Sequence, residues 1–473
     1  MASNGRCIAR YQSTSKVAEE IPEPRVDIPV PNHFHTAQEL HLAGTHADQY
    51  RSPKDLPQTY WEKALERDPD YAPALIDLGT LHYKHGRFVE ARELLERARS
   101  VLTRHNGNPR SGELFYTLGL ILKAQGETDA AYDAFYKAAW NEAMRSRALT
   151  QLASIDGIRG NYITMEKHAQ EALVHSADNP LAISLKILAS LKTGNKDRAW
   201  EQIQLALQND PLHLMVRYLK IRAEDGSVPD FVAELKTSPS QTSLDLAFEF
   251  TAAGFDDEAF ELLSKLPANA DPMVHYTLAT LASKFGRRNE FQTALARGEA
   301  TRAPHTYPFR LEEMAVLESI IDQAPQQTAK ARYYLGCLLY DKRRYGEAAS
   351  QWEKSLELET DFAPALRNLA VAYFSHLNRK PEVLPLLHKA LSCNPGDEQL
   401  IYEIAYVMTK MGSLPAERLD FLDTHIDATA TVRDDLILEW ARAYNQAADP
   451  HAALSLLNGY HFAPCEGGEH AVV

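Results

Sequence analysis

Two distant stretches of this chain carry nearly the same text. Residues 60–65 read Tyr60-Trp61-Glu62-Lys63-Ala64-Leu65, and residues 351–356 read Gln351-Trp352-Glu353-Lys354-Ser355-Leu356. Each then runs on in the same register, through Asp70-Tyr71-Ala72-Pro73-Ala74-Leu75 in the first and Asp361-Phe362-Ala363-Pro364-Ala365-Leu366 in the second. Duplication of this kind restricts the chain to architectures that use one supersecondary unit repeatedly.

The unit is legible in residues 331–365. Tyr333-Tyr334-Leu335-Gly336-Cys337-Leu338-Leu339-Tyr340 lays apolar side chains along a helical stripe, with Gly336 where a second helix comes close. A polar turn, Asp341 to Arg344, follows, and Tyr345, Ala348, Trp352, Ser355 and Leu356 then share one face of a second helix. A single helical hairpin cannot cover its own apolar faces, so neighbours are required.

Small residues mark those neighbours. Gly79, Gly86 and Ala91 are spaced by seven and five, and Gly119, Gly126 and Ala131 repeat the set. The sets around Ala153 and Gly160, then Ile187 and Gly194, follow at intervals of 34, and Gly254, Gly286 and Gly412 continue the series. The first small residue lets the paired helices approach, and the glycine seven residues on takes the turn. Gly79 to Gly119 is 40 instead of 34, and the extra residues fall around Thr103 to Arg110, a longer loop between repeats. Asp68-Pro69, Asn179-Pro180 and Asp210-Pro211 punctuate the boundaries, where proline suits a first helical turn. Thr36 followed by Glu39 reads as a helix start with a capping box. The expected fold is all-α, a right-handed α-α superhelix. Its divisions are an extended arm over 1–30, a capping helix region over 31–57 and a first block of repeats over 58–213. Divergent repeats over 214–325, weakened by breaks at Asp225 to Pro229 and Ser238 to Ser240, precede a C-terminal block over 326–458. An ordered strap over 459–473 closes the chain.

Composition limits function. The 473 residues carry a formal charge of -14 with no basic block, which argues against nucleic acid and anionic membrane as partners. No apolar run reaches the roughly 18 residues of a spanning helix, and the first residues lack the apolar core of a secretory signal, so a cytoplasmic protein is expected. Four scattered cysteines, Cys7, Cys337, Cys393 and Cys465, make neither a disulfide scaffold nor a zinc cluster. His33, His35, His41 and His46 crowd together without a ligand spacing, so polar packing is expected there and no metal. No phosphate loop, zinc-protease helix or nucleophile elbow occurs, and no catalytic residue or cofactor is assigned. The tail carboxylates Glu466 and Glu469, with His470, are the weakest candidates for proton transfer.

With these residues laid out, the spacing resembles the tetratricopeptide repeat. More narrowly, residues 38–50, 60–70, 106–112, 138–140, 308–313, 331–341, 367–369, 433–436 and 462–469 resemble the helical-repeat half of the proteins known by the domain of unknown function 5107. A large β-rich, carbohydrate-enzyme-like domain commonly precedes the repeats in that family. Its place here is before Pro22, and its chemistry does not transfer to these residues. Similarity to tetratricopeptide arrays implies that the first helix of each pair lines a concave groove. That register directs Tyr333, Tyr340, Arg367, Asn368, Phe374, Tyr402, Tyr406 and Asp434 toward the groove, with Tyr83, Lys84, Tyr116 and Lys123 from earlier copies. Arg367 has a second expected role, an ion pair with Glu403 or Asp434. A noncatalytic scaffold for a protein or peptide is the expected function. The alternative is an accessory half of a carbohydrate-active enzyme, with a glycan in the groove.

Overall fold

The computed structural model describes residues 2–3, 6–7, 26–52, 54–224, 226–301, 306–426 and 433–462. Most of the arm expected over 1–30, Asp225, much of the break after Thr301 and the strap beyond Phe462 lie outside the described residues. Strand structure among the described residues is confined to a two-residue antiparallel pairing, Ala2–Ser3 with Arg6–Cys7.

The rest is an all-α solenoid. In chain order the hairpins are α1 (Ala37–Gln49) with α2 (Pro57–Arg67), α3 (Ala72–Lys84) with α4 (Phe88–Leu102), α5 (Glu113–Ala124) with α6 (Thr128–Ala138), and α7 (Glu142–Ile158) with α8 (Tyr162–His175). Next come α9 (Pro180–Lys192) and α10 (Lys196–Asn209), the short α11 (Leu214–Ala223) and α12 (Val228–Glu234), α13 (Pro239–Ala252) with α14 (Asp256–Ser264), and α15 (Pro272–Lys284) with α16 (Arg288–Ala300). A single helix, α17 (Leu311–Gln323), interrupts the pairing. The series resumes with α18 (Ala329–Asp341) and α19 (Tyr345–Leu358), α20 (Ala363–Ser375) and α21 (Val383–Cys393), α22 (Glu398–Lys410) and α23 (Pro415–His425), and α24 (Asp434–Gln446) with α25 (Pro450–Gly459).

The pairing follows from the small residues. All seven turn glycines of the series adopt positive φ, from 69° at Gly86 to 82° at Gly254, the region that penalises a Cβ. Within the hairpins, a methyl group on Gly336 would collide with the Trp352 indole, which donates from Nε1 to the Tyr333 carbonyl at 3.1 Å. The same lock occurs at the start of the chain, where Gly44 faces Trp61 and the indole donates to the His41 carbonyl at 3.2 Å. α1 and α2 are therefore a full hairpin, and the boundary expected at residue 58 falls inside its second helix. Thr36 caps α1 as expected: its Oγ1 accepts from the Glu39 N–H at 3.1 Å, and Glu39 Oε2 accepts from the Thr36 N–H at 2.9 Å. Of the three proline signals, only Pro180 opens a helix, behind Asn179 as cap. Pro69 and Pro211 instead follow the last residues of α2 and α10, where proline prevents continuation.

Two departures from regular stacking fold the solenoid back on itself. The hairpin α11–α12 is truncated, α12 having seven residues, and α13 returns against α7. Contact there is close: a Cβ on Gly157 would stand 2.5 Å from the Ala253 carbonyl oxygen. The second departure is α17, which packs on α15 and α18 while α16 also reaches α18. From there Met314 and Arg344 meet the turn between α3 and α4, and Arg344 Nη1 donates to the Gly86 carbonyl at 3.3 Å. A Cβ on Gly86 would lie 2.6 Å from Met314 Cε, whereas Gly126, Gly160, Gly194, Gly286 and Gly412 have open space at that point. The positive φ of the turn favours glycine at residue 86, and its carbonyl also binds a side chain 258 residues away.

His85 lies half-buried at this crossing. Burial, then the charges of Arg343 and Arg87, with His82 and Lys342 adding, push its imidazole down to about 4. A folded pKa below the ordinary 6.5 means that the unfolded chain binds this proton first. The His85 contribution to stability is therefore intact above pH 6.5 and is lost as the pH falls to about 4. Urea titrations across that window should have a shallower acid limb in His85→Gln; an unchanged limb would remove His85 from the crossing's electrostatics.

Candidate binding groove

The first helices α18, α20 and α22 run side by side and enclose a cavity of about 640 Å³. Tyr333 and Tyr340 stand two turns apart on α18, and Arg367 and Asn368 face them from α20; all four line the cavity. Tyr307, Tyr334, Cys337 and Trp352 add to the wall, and Asn394 and Asp397 bring in the approach to α22. The aromatic wall is built edge to face, with Tyr333 meeting Phe362 at a centroid distance of 5.0 Å and 71°.

The other groove residues lie outside this cavity. Phe374 is half-buried against the core. Tyr402 and Tyr406 stack on each other along α22, with centroids 6.2 Å apart and rings at 27°. Asp434, the first residue of α24, accepts from the Tyr460 hydroxyl at 2.8 Å, because residues following α25 return across that end. The expected pairing of Arg367 resolves to Glu403: Nε donates at 2.8 Å to Oε2 and Nη2 donates to Oε1. Gln399 Nε2 donates to the same carboxylate at 2.6 Å, Arg433 bonds to Gln399, and Arg433 also clasps Asp435 at 2.6 Å. A polar line therefore runs from α20 through α22 to α24. Its links between helices, Arg367 to Glu403 and Arg433 to Gln399, join neighbouring first helices, a relation that spacing along one helix does not announce.

Electrostatics separate the cavity floor from its mouth. Burial pushes the Cys337 thiol up to about 11 and Tyr334 up to about 12, and it raises Tyr333 further. Cys337 is accordingly a protonated thiol at neutral pH, and Asn368 Nδ2 donates to its sulfur at 3.5 Å. The Glu403 hydrogen bond holds the Arg367 guanidinium above its usual pKa. Among the described residues no group of three metal-ligating side chains occurs. His41 of the N-terminal cluster bonds Asp77 Oδ2 at 2.7 Å and meets Tyr71 edge-on. Glu466, Glu469 and His470 lie outside the described residues.

Comparison with known proteins agrees on the unit. Tetratricopeptide-repeat family models match residues 59–106 and 333–398, the two regions that contain the duplicated tryptophans. Among solved structures, YrrB, described as a TPR protein with an unusual peptide-binding site, is similar at 18% identity over 39% of this chain and 91% of its own, with TM-score 0.33. A tetratricopeptide repeat protein from Parabacteroides merdae is similar at 12% identity over 60% of this chain and 97% of its own, with TM-score 0.37. The structure of Naa15/Naa10 bound to HypK-THB is similar at 16% identity over 91% and 69%, with TM-score 0.30. Each is a likeness of stacked helical hairpins alone. No described helix is long and apolar enough to cross a membrane.

Proposed function

We propose that this helical-repeat scaffold binds a peptide segment of another protein, without catalysis, in the cavity between α18 and α20. The observation that carries the reading is the convergence of Tyr333, Tyr340, Arg367 and Asn368 on one cavity with an aromatic wall. Aromatic faces supply contact area at low entropic cost, and Asn368 and Arg367 supply hydrogen bonds for a backbone or a carboxylate. Glu403 keeps the guanidinium oriented before a ligand arrives, which reduces the ordering that binding must offset.

The test uses peptides selected from a random display library on the immobilised full chain. Arg367→Ala is expected to weaken a selected peptide by roughly 2–5 kcal/mol if the charge is desolvated in the complex. Asn368→Ala should weaken it less, and Tyr402→Ala, outside the cavity, should leave it unchanged. Equal affinities in all four proteins would reject the cavity. The narrower resemblance to the helical half of the domain of unknown function 5107 supports an accessory role beside a carbohydrate-active domain, and it rests on the sequence stretches named above. Under that reading oligosaccharides, not peptides, are retained by the same aromatic wall.

A further inference from the structure

The two crossings frame a second and larger space. Between the α7–α13 contact and the Gly86–Arg344 contact lies a bay of about 800 Å³, within the range of roughly 300–1,000 Å³ common for small-molecule sites. One wall comes from α3, α4, α5 and α7 and the other from α13 and α17, with Arg344 and Glu347 at one end. Phe88, Leu120, Phe248 and Met314 give it apolar area.

Its charges are arranged unusually. Lys123 projects from α5 and donates to Gln151 Oε1 at 3.0 Å, with no carboxylate in salt-bridge range. Burial draws its ammonium down to about 8, against the upward pull of Glu312. Across the bay, Glu312 and Glu318 on α17 have no cation in salt-bridge range; burial raises the Glu318 pKa against the pull of the Arg344 charge, and Arg344 itself is held by Glu347 at 2.6 Å. Arg87 and Glu90 also line the bay, with opposite signs. Closing the solenoid has therefore brought a half-buried cation and two carboxylates into one space without pairing them.

We infer that this bay binds a compact zwitterion with an apolar body, of dipeptide size, its carboxylate on Lys123 and its ammonium on the Glu312–Glu318 face of α17. A ligand carrying one charge satisfies one wall and leaves the other unmatched. A ligand carrying both gains a charge-assisted hydrogen bond at each end while covering the apolar area between.

Calorimetric titration of the full chain with the dipeptide Leu-Phe, its N-acetyl form and its C-terminal amide tests this. Leu-Phe should bind, and each capped form should bind about tenfold weaker or worse, the scale of one lost charged contact. In Lys123→Met the free dipeptide and its amide should bind alike; in Glu312→Gln with Glu318→Gln the free and acetylated forms should bind alike. Leu-Phe should also protect Lys123 from an amine-acylating reagent at pH 8, read by mass spectrometry. Equal binding of capped and free dipeptide to the wild-type chain, or no binding at millimolar ligand, overturns the assignment without recourse to any variant. Binding lost in Asn368→Ala and retained in Lys123→Met would move the ligand to the aromatic cavity and overturn it equally.

Discussion

Replacing Trp352 by alanine is expected to lower stability by about 3–5 kcal/mol, the range for deleting a large buried aromatic. The indole is 2% exposed and lies directly against Gly336, so its removal empties the space between the paired helices at their point of closest packing. The Tyr333 carbonyl also loses the indole donor. Because α18–α19 sits inside the array, with α17 on one side and α20 on the other, its loss uncouples the blocks before and after it. Urea unfolding followed by circular dichroism should separate into two transitions in Trp352→Ala. Trp61→Ala breaks the same lock, at 3% exposure, in the first described hairpin, which among the described helices stacks chiefly on α3. There the damage should be local: faster hydrogen exchange in α1 and α2 with a smaller shift of the main transition. A loss below about 1 kcal/mol in Trp352→Ala would mean that the duplicated tryptophans do not lock the hairpins.

These two tryptophans also mark how far the sequence could be read. The lock is local: glycine, a carbonyl three residues before it and an indole from the next helix all lie within one hairpin, so the duplication exposes it. Turn glycines are legible for the same reason, since positive φ is a property of one residue. The fold-back is not local. Nothing near Gly86 distinguishes it from Gly126 in the sequence, yet one packs on Met314 and the other faces open space. Which turn meets which distant helix depends on rotations accumulated over many hairpins, and periodicity carries no record of that sum. The groove divides along the same line. Tyr333, Tyr340, Arg367 and Asn368 share a register on adjacent first helices and meet, whereas Asp434 is drawn to Tyr460 by residues that follow α25. Tyr307 reaches the cavity from the segment before α17, where no repeat exists to predict its direction.

Arg310→Ala is expected to destabilise the chain by about 3 kcal/mol, the low end for breaking a buried ion pair, by unseating α17. The guanidinium, 11% exposed, donates to Asp245 at 2.6 Å and to Gln241 at 3.1 Å on α13, and to Glu313 at 3.0 Å on its own helix. Glu313 is 1% exposed at its side chain and accepts the Phe309 and Arg310 N–H groups at 2.8 and 2.9 Å. Those two bonds survive the substitution and keep the loss at the lower end of the range. Burial already raises the Glu313 pKa, and loss of the Arg310 charge raises it further. A carboxyl whose folded pKa lies above its unfolded value binds its proton in the folded state first, so stability rises as the pH falls through that folded pKa. The gap between Arg310→Ala and wild type should therefore narrow as the pH is lowered from 7 toward the folded pKa of Glu313, and Glu313→Gln in the same background should remove the pH dependence. Asp245→Ala, at 59% exposure, should cost well under 1 kcal/mol. Because α17 also carries Glu312 and Glu318, Arg310→Ala should weaken Leu-Phe in the bay while Asp245→Ala does not. A pH-independent gap would instead mean that Arg310 holds α17 through Gln241 and the Phe309 ring, 4.2 Å from its guanidinium, and not through the buried carboxylate.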